Sequence, residues 1–352
     1  MLSKTMYTRE YIQELYEKTG NDPALLERVI FAFGLLEAIR QVDLPFCFKG
    51  GTSLMLLLDR SMRLSTDIDI IVEPGTDIDE YIRRAGEIFP FIDVEEQVRL
   101  GKNNIEKRHF RFKYHSPNSN RDVTILLDVL FENIHYISTV ERPIKNDLLL
   151  TEGDDLYVTM PNVNGILGDK LTAFAPHTTG IPFGVSKELE IVKQLFDCGS
   201  LFDVMSNYDE VRASYEKIVR AELRYRGLSI MPEDVLKDTI KGCLCVASRG
   251  QLGEKEYIYY KDGISRIRNH IINGKFSGEI AGVYASKLLY LVSSILTGQD
   301  AIELINDFSQ YVNQKIEFEK PKSFSYLRIV NPIAYGYIIK ASKLLQGTDF
   351  MN

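Results

Sequence analysis

The sequence predicts an α+β chain: a mixed sheet with flanking helices over residues 1–160, then a mostly helical region over 161–352. Three observations carry this. Up to about residue 160, short apolar runs ended by glycine or proline alternate with amphipathic stretches. Beyond that point apolar residues recur at three-to-four spacing. And 352 residues are too many for one small core, which favours two domains.

Taken in order, residues 8–19 predict a short helix. Asn21-Asp22-Pro23 places a cap before a proline at the first helical position, and the helix through "ALLERVIFAFGLLEAIRQV" ends near Val42. "FCFKG" predicts a short strand stopped by Gly50-Gly51, and "TSLMLLLDR" a helix after those glycines. "DIDIIVEP" predicts a buried strand that stops at Pro74, followed by a helix around 77–88. Strands are expected over 92–100, 107–114 and 123–131. The second puts Phe110, Phe112 and Tyr114 on one face. Residues 155–160 predict a further strand or a sheet edge. "NGILGDKLTAFAPH" and "KELEIVKQLFDCGSLFDVMSN" predict helices, and so do 208–226, 232–248, 255–272, 278–296, 301–313 and 332–345, with "FEKPKSFSYL" as a loop.

The net charge of −7, from 42 basic and 49 acidic residues, argues against a general nucleic-acid binder but leaves room for local basic patches. Of Cys47, Cys198, Cys243 and Cys245, only the last two are close, and Cys-Leu-Cys is not a zinc spacing. Five scattered histidines supply no convincing ligand set. The first twenty residues are charged and amphipathic, with no apolar signal core. No run of eighteen apolar residues suggests a membrane span. The expectation is a reduced, soluble, cytoplasmic protein.

The chemistry concentrates in "FKGGTSLMLLLDRSMRLSTDIDIIV". Gly50 and Gly51 before a helix let the backbone approach a ligand, the free amides of the helix start face an anion, and Ser53 can donate a hydroxyl to it. By itself this is most often just a tight turn. Asp67 and Asp69, two apart on a strand, share a face. Two such carboxylates either sit at a solvated strand end or take a hard divalent cation between them. Asp128, the one acid in "ILLDVLF", is costly if buried alone. Beside the Asp67–Asp69 strand it would complete a two-metal phosphoryl-transfer site; otherwise it faces solvent at a strand end. Arg60, Arg63 and Ser65 either touch phosphate or are solvated loop groups, and Lys49 is equally ambiguous. Farther on, Arg220, Arg224 and Arg226, with Arg266, Arg268 and His270, either hold RNA or form solvated helix faces. Cys243 and Cys245 read as buried packing residues. No nucleophile elbow and no Walker-type phosphate loop is present.

Gly-Gly-x-Ser, then Asp-x-Asp on a strand, then a later strand aspartate resembles the DNA polymerase beta-like nucleotidyltransferase superfamily. More closely, "KGGTSL…R.STDIDI" resembles the AbiEii/AbiGii toxin family of type IV abortive-infection toxin–antitoxin systems, over roughly residues 30–205. The resemblance implies a polymerase beta-like catalytic domain over 1–160 and a helical domain over 161–352 that contributes further motifs and an acceptor or partner surface. It implies that Lys170 reaches the nucleotide phosphates. It also implies an acid in a last motif with Lys193 nearby, either Asp197 or Asp203. The family's Arg-Asp pair is Lys193-Gln194 here, and Lys193 with Asp197 also reads as a surface ion pair.

The function expected is a metal-dependent nucleotidyltransferase toxin. Asp67, Asp69 and Asp128 would hold Mg²⁺ or Mn²⁺. Gly50, Gly51, Ser53 and Arg63 would seat the triphosphate, with Lys193 and Asp197 alongside and Lys170 neutralising charge. The implied partners are a nucleoside triphosphate, an RNA acceptor such as a tRNA 3′ end, and a cognate antitoxin; the implied setting is phage defence. The alternatives are a protein-modifying nucleotidyltransferase and a catalytically silent module that binds nucleotide or RNA. A sugar-nucleotide transferase is weaker, because the glycine–serine turn so close to the acid pair seats phosphates in the polymerase-like way.

Overall fold

The computed structural model describes residues 1–97, 106–272 and 274–348. The end of the strand expected over 92–100 lies outside them. The chain forms two compact units, Met1–Asn162 with Asn269–Gly274, and Val163–Arg268 with Lys275–Asn352.

The first unit begins with α1 (Arg9–Thr19) and α2 (Pro23–Gln41). Asp22 caps α2 by accepting the Leu25 amide, with Pro23 at its first position. Then come β1 (Cys47–Lys49), α3 (Gly50–Leu57), β2 (Ile68–Val72), α4 (Asp79–Gly86), β3 (Phe91–Glu96), β4 (Lys107–His115) and β5 (Asp122–Phe131). The sheet order is β1-β2-β5-β4-β3. Only the β2–β5 pair is parallel, so the sheet is mixed. Its apolar face carries Phe48, Ile68, Ile70, Leu127, Val129, Phe110, Phe112 and Tyr114, all buried. Phe31 of α2 stacks on Tyr114 with ring centroids 3.7 Å apart. Glu27 of α2 is buried, which is tolerable because it accepts three hydrogen bonds. The donors are the Tyr114 hydroxyl at 3.0 Å, the Ser116 hydroxyl at 2.9 Å and the Asn118 amide at 3.1 Å, so α2 is pinned to the β4–β5 turn.

Two features of this unit differ from the expectation. A strand at β6 (Thr139–Pro143) pairs with β7 (Tyr157–Pro161) as a separate two-stranded sheet. Only the second of these was legible, because "TVERP" lacks an apolar run. The helix expected over 255–272 stops at Ile267, and residues 269–272 join the first unit instead. There Leu64 and Ile272 donate their amides to His270 and Met62. The Asn21 side chain donates to the Asn269 and Ile271 carbonyls. Backbone groups that a helix would have used are satisfied by another segment.

The second unit contains α5 (Val163–Ala173), α6 (Glu188–Phe202), α7 (Tyr208–Arg226), α8 (Pro232–Ala247), α9 (Glu254–Ile267), α10 (Gly278–Leu296), α11 (Leu327–Val330) and α12 (Pro332–Leu344). Among the described residues, α10 alone is long and apolar enough to cross a membrane. Yet 72% of that window is buried inside the protein, as in a core helix. The helix expected over 301–313 does not form; a single 3₁₀ turn at Ser309–Tyr311 stands there. The Glu303 and Ile305 amides donate instead to the hydroxyls of Tyr290 and Tyr337, at 3.2 and 3.1 Å. All four cysteines are buried thiols, and burial pushes Cys245 up to about 12 and Cys47 up to about 11.

Candidate active site

Chain direction changes abruptly where β1 runs into α3, and Gly50 takes the left-handed conformation there, at φ +83°. A Cβ on Gly50 would lie 2.1 Å from Oδ2 of Asp69, and one on Gly51 would lie 2.6 Å from Nη2 of Arg63 and 2.9 Å from Oγ of Ser65. The paired glycines therefore lie against a carboxylate and a guanidinium, and at Gly50 the left-handed backbone itself disfavours a side chain. Thr52 Oγ1 donates to the Asp67 carbonyl at 2.6 Å, which fixes the turn to the entrance of β2. Ser53 is buried and donates its hydroxyl to the Gly50 carbonyl at 2.8 Å, so it braces the turn from within. Arg63 is buried, bonds the Leu64 carbonyl at 3.2 Å through Nη1, and bridges Ile271 through its backbone. Arg60 is exposed.

Beside this turn a row of polar residues crosses the sheet. Lys49 stands opposite Asp69, Asp69 opposite Asp128, and Asp128 opposite His109. Register partners share a face, so all four project from the side opposite the apolar one. Asp69 and Asp128 are like charges on directly adjacent strands, a destabilising arrangement unless positive charge intervenes. His109 Nδ1 lies 2.6 Å from Asp128 Oδ1. Asp128 was expected either beside the Asp67–Asp69 strand, converging with those acids, or solvated at a strand end; the register sets it opposite Asp69. It is in fact within β5, with its side chain 35% exposed and hydrogen-bonded. Asp67 precedes β2 by one residue rather than lying in it, and is exposed.

This donor set suits a hard divalent cation, which takes one or two carboxylates and completes its shell from phosphate oxygens and water. Among the described residues no three His, Cys, Asp or Glu side chains are grouped to hold a metal ion. Asp69 and Asp128, register partners on adjacent strands, are the two carboxylates that such a cation could take.

The second unit holds a different arrangement. Lys170, late in α5, is buried, with Nζ 3.0 Å from Oδ2 of Asp197 and donating to Oε1 of Gln194 at 2.9 Å. Both partners lie on α6, and Asp197 is 1% exposed. Asp203, the other acid considered, follows α6 and takes Lys287 at 2.7 Å. Geometry thus sets Asp197, not Asp203, against Lys170. Lys193 lies 3.5 Å from Glu190, one turn away on its own helix. The expected basic clusters dissolve into local pairs: Arg220 with Glu216, Arg226 with Glu222 and Arg266 with Asp262, each four residues apart.

His109 is the residue the sequence reading passed over. Alternation along β4 puts it on the face opposite Phe110 and Phe112, which was visible. Its partner was not, because the β4–β5 register is a tertiary fact.

The AbiEii nucleotidyl transferase toxin of type IV toxin–antitoxin systems, as a family, matches residues 35–256, more than half of the chain. No curated protein matches the sequence. Two solved structures from Helicobacter pylori are similar at 14% identity. JHP933 has a TM-score of 0.44, over 77% of this chain and 93% of its own. A candidate nucleotidyltransferase has a TM-score of 0.43, over 79% of this chain and 98% of its own.

Proposed function

The chain belongs to the AbiEii family of nucleotidyl transferase toxins, and from that premise we propose that it moves a nucleoside monophosphate from a nucleoside triphosphate onto an acceptor hydroxyl, releasing pyrophosphate. The observation that supports this best is the pairing of Asp69 with Asp128 on adjacent parallel strands, beside a glycine turn that Asp69 itself packs against. Like charges held side by side on a rigid sheet favour a site that is completed by a cation and phosphate.

In this reading Gly50 and Gly51 bring backbone against the triphosphate, at the amide-rich start of α3. Asp69 and Asp128 would hold Mg²⁺ or Mn²⁺, which neutralises phosphate charge and makes the attacking hydroxyl more acidic, with Asp67 at the exposed entrance of β2 beside them. Asp128 accepts the hydroxyl proton. The freed oxygen bonds to the α-phosphorus as the bond to the bridging oxygen breaks, and pyrophosphate leaves with that electron pair. Ser53 acts by bracing the turn, since its hydroxyl is bonded to the Gly50 carbonyl. The family resemblance assigns Lys170 to the nucleotide phosphates; its ammonium is bonded to Asp197 and Gln194 within the second unit. The acceptor proposed is an RNA hydroxyl, first a tRNA 3′ end. Type IV membership implies a cognate antitoxin, and the setting proposed is phage defence.

The test is incubation with each α-labelled nucleoside triphosphate, Mg²⁺ and total RNA. Label on RNA with matching pyrophosphate release is the expected result. Label on protein would make the acceptor a side chain, and binding without transfer by any nucleotide would overturn the enzymatic mechanism.

A further inference from the structure

We propose that His109 is a positioning residue that holds one oxygen of Asp128 and so presents the other to the cation and the attacking hydroxyl. This rests on Asp128 being an acid of the transfer site.

The contact is built rather than incidental. His109 and Asp128 are direct register partners, so neither side chain has to reach. β4 is an interior strand, with β5 on one side and β3 on the other. The His109 carbonyl also accepts the Gln97 amide at 2.7 Å, which ties its backbone from the β3 side. The His109 side chain is 15% exposed against 35% for Asp128. The ring is thus sequestered while the acid keeps an open side. That differs from a mobile surface pair, whose long side chains pay entropy to meet.

The chemistry follows from the 2.6 Å separation of Nδ1 and Oδ1, a short hydrogen bond for a nitrogen donor. A carboxylate only accepts, so Nδ1 carries the proton and donates it. Oδ1 is then occupied and Oδ2 retains its lone pairs for another ligand. Without the imidazole the carboxylate can exchange its two oxygens by rotation, and repulsion from Asp69 turns it away from the shared cation. Outer hydrogen bonds of this kind orient ligating groups, and their loss costs about 10–100-fold in metal affinity or activity.

The experiment uses the full chain with His109→Ala, His109→Asn, His109→Gln and Asp128→Asn. Mn²⁺ binding is followed by electron paramagnetic resonance without nucleotide, and kcat and KM for the preferred triphosphate separately. His109→Ala should weaken Mn²⁺ binding and lower kcat about 10–100-fold, with KM for nucleotide within about two-fold. His109→Asn places an amide N–H near the Nδ1 position and should recover most of both. His109→Gln places it near Nε2 and should not, so the Asn–Gln contrast decides the matter even where the alanine variant folds poorly. Wild-type Mn²⁺ binding and kcat in His109→Ala would overturn the proposal, and so would equal impairment of the Asn and Gln variants. Asp128→Asn separates the layers: wild-type binding and transfer there would sink the acid-row reading itself. An inactive Asp128→Asn beside a normal His109→Ala would sink only the role of His109.

Discussion

Asp69 with Asp128, and Lys170 with Asp197, set ionisable groups against one another in opposite ways. In the first unit two carboxylates of the same sign face each other across parallel strands, partly open to solvent. In the second a lysine and an aspartate of opposite sign are closed away at 3.0 Å, with Gln194 completing the lysine's contacts. Where the protein balances charge itself, burial is affordable and removal of one partner is costly. Where it sets like charges side by side in the open, in a row that runs from Lys49 to His109, a cation suits the pair as a further partner.

The strongest way to break this contrast is to neutralise one acid of the open pair. Asp69→Asn or Asp128→Asn should lower nucleotide transfer by about 10³-fold while leaving the unfolding temperature unchanged or slightly higher, because one of two repelling charges is gone. A marked fall in melting temperature would show that the row is structural. In the closed pair the sign reverses: Asp197→Ala should cost about 3–5 kcal/mol of stability, because Lys170 stays buried without its counter-charge. Denaturant unfolding of Asp197→Ala, Lys170→Met and the double variant checks this, and the double variant should lose less than the sum of the singles.

Two glycines sharpen the comparison within the first unit. Gly50 and Gly75 have nearly equal backbone angles, φ +83° and +81°, but only Gly50 has Asp69 where a Cβ would go; Gly75 has nothing within 4 Å. Gly75→Ala should cost about 1 kcal/mol and leave transfer intact. Gly50→Ala should cost about 1–3 kcal/mol and also lower transfer about 100-fold through displacement of Asp69. Equal activity in the two variants would remove the turn from the site.

The smallest effect concerns a buried acid that lacks a lysine. Asp238 on α8 accepts the Thr178 hydroxyl and the His177 amide. Burial raises its carboxyl above the ordinary 3.8, and those hydrogen bonds offset part of the rise. The folded state then keeps this proton to higher pH than the unfolded chain. Its contribution is fully present below 3.8 and is lost as pH rises through the raised folded value. Asp238→Asn should flatten the stability–pH curve in that window and be neutral or mildly stabilising at neutral pH. Unfolding measured across pH in the two proteins reads the difference.

The local half of the site was legible from residues alone. The glycine turn, the helix after it and the strand that carries Asp69 are short-range features, set by sterics and by the period of a strand, although that strand begins one residue after Asp67. Caps such as Asp22-Pro23 announced α2 for the same reason. The helix expected over 301–313 failed because its amides found tyrosine hydroxyls on α10 and α12. No local pattern encodes that outcome.

By itself, then, the sequence determined most of the elements though not β6 or the course of 301–313, where the turn sits, and that Asp67, Asp69 and Asp128 are the acids to consider. Folding decided that Asp69 faces Asp128, that His109 is bonded to it, that Ser53 turns inward to its own backbone, and that Lys170 meets Asp197 rather than Asp203. Propensity and periodicity act over a few residues. Register and helix packing are chosen by which apolar faces close together, and the polar partners are carried to wherever that choice puts them.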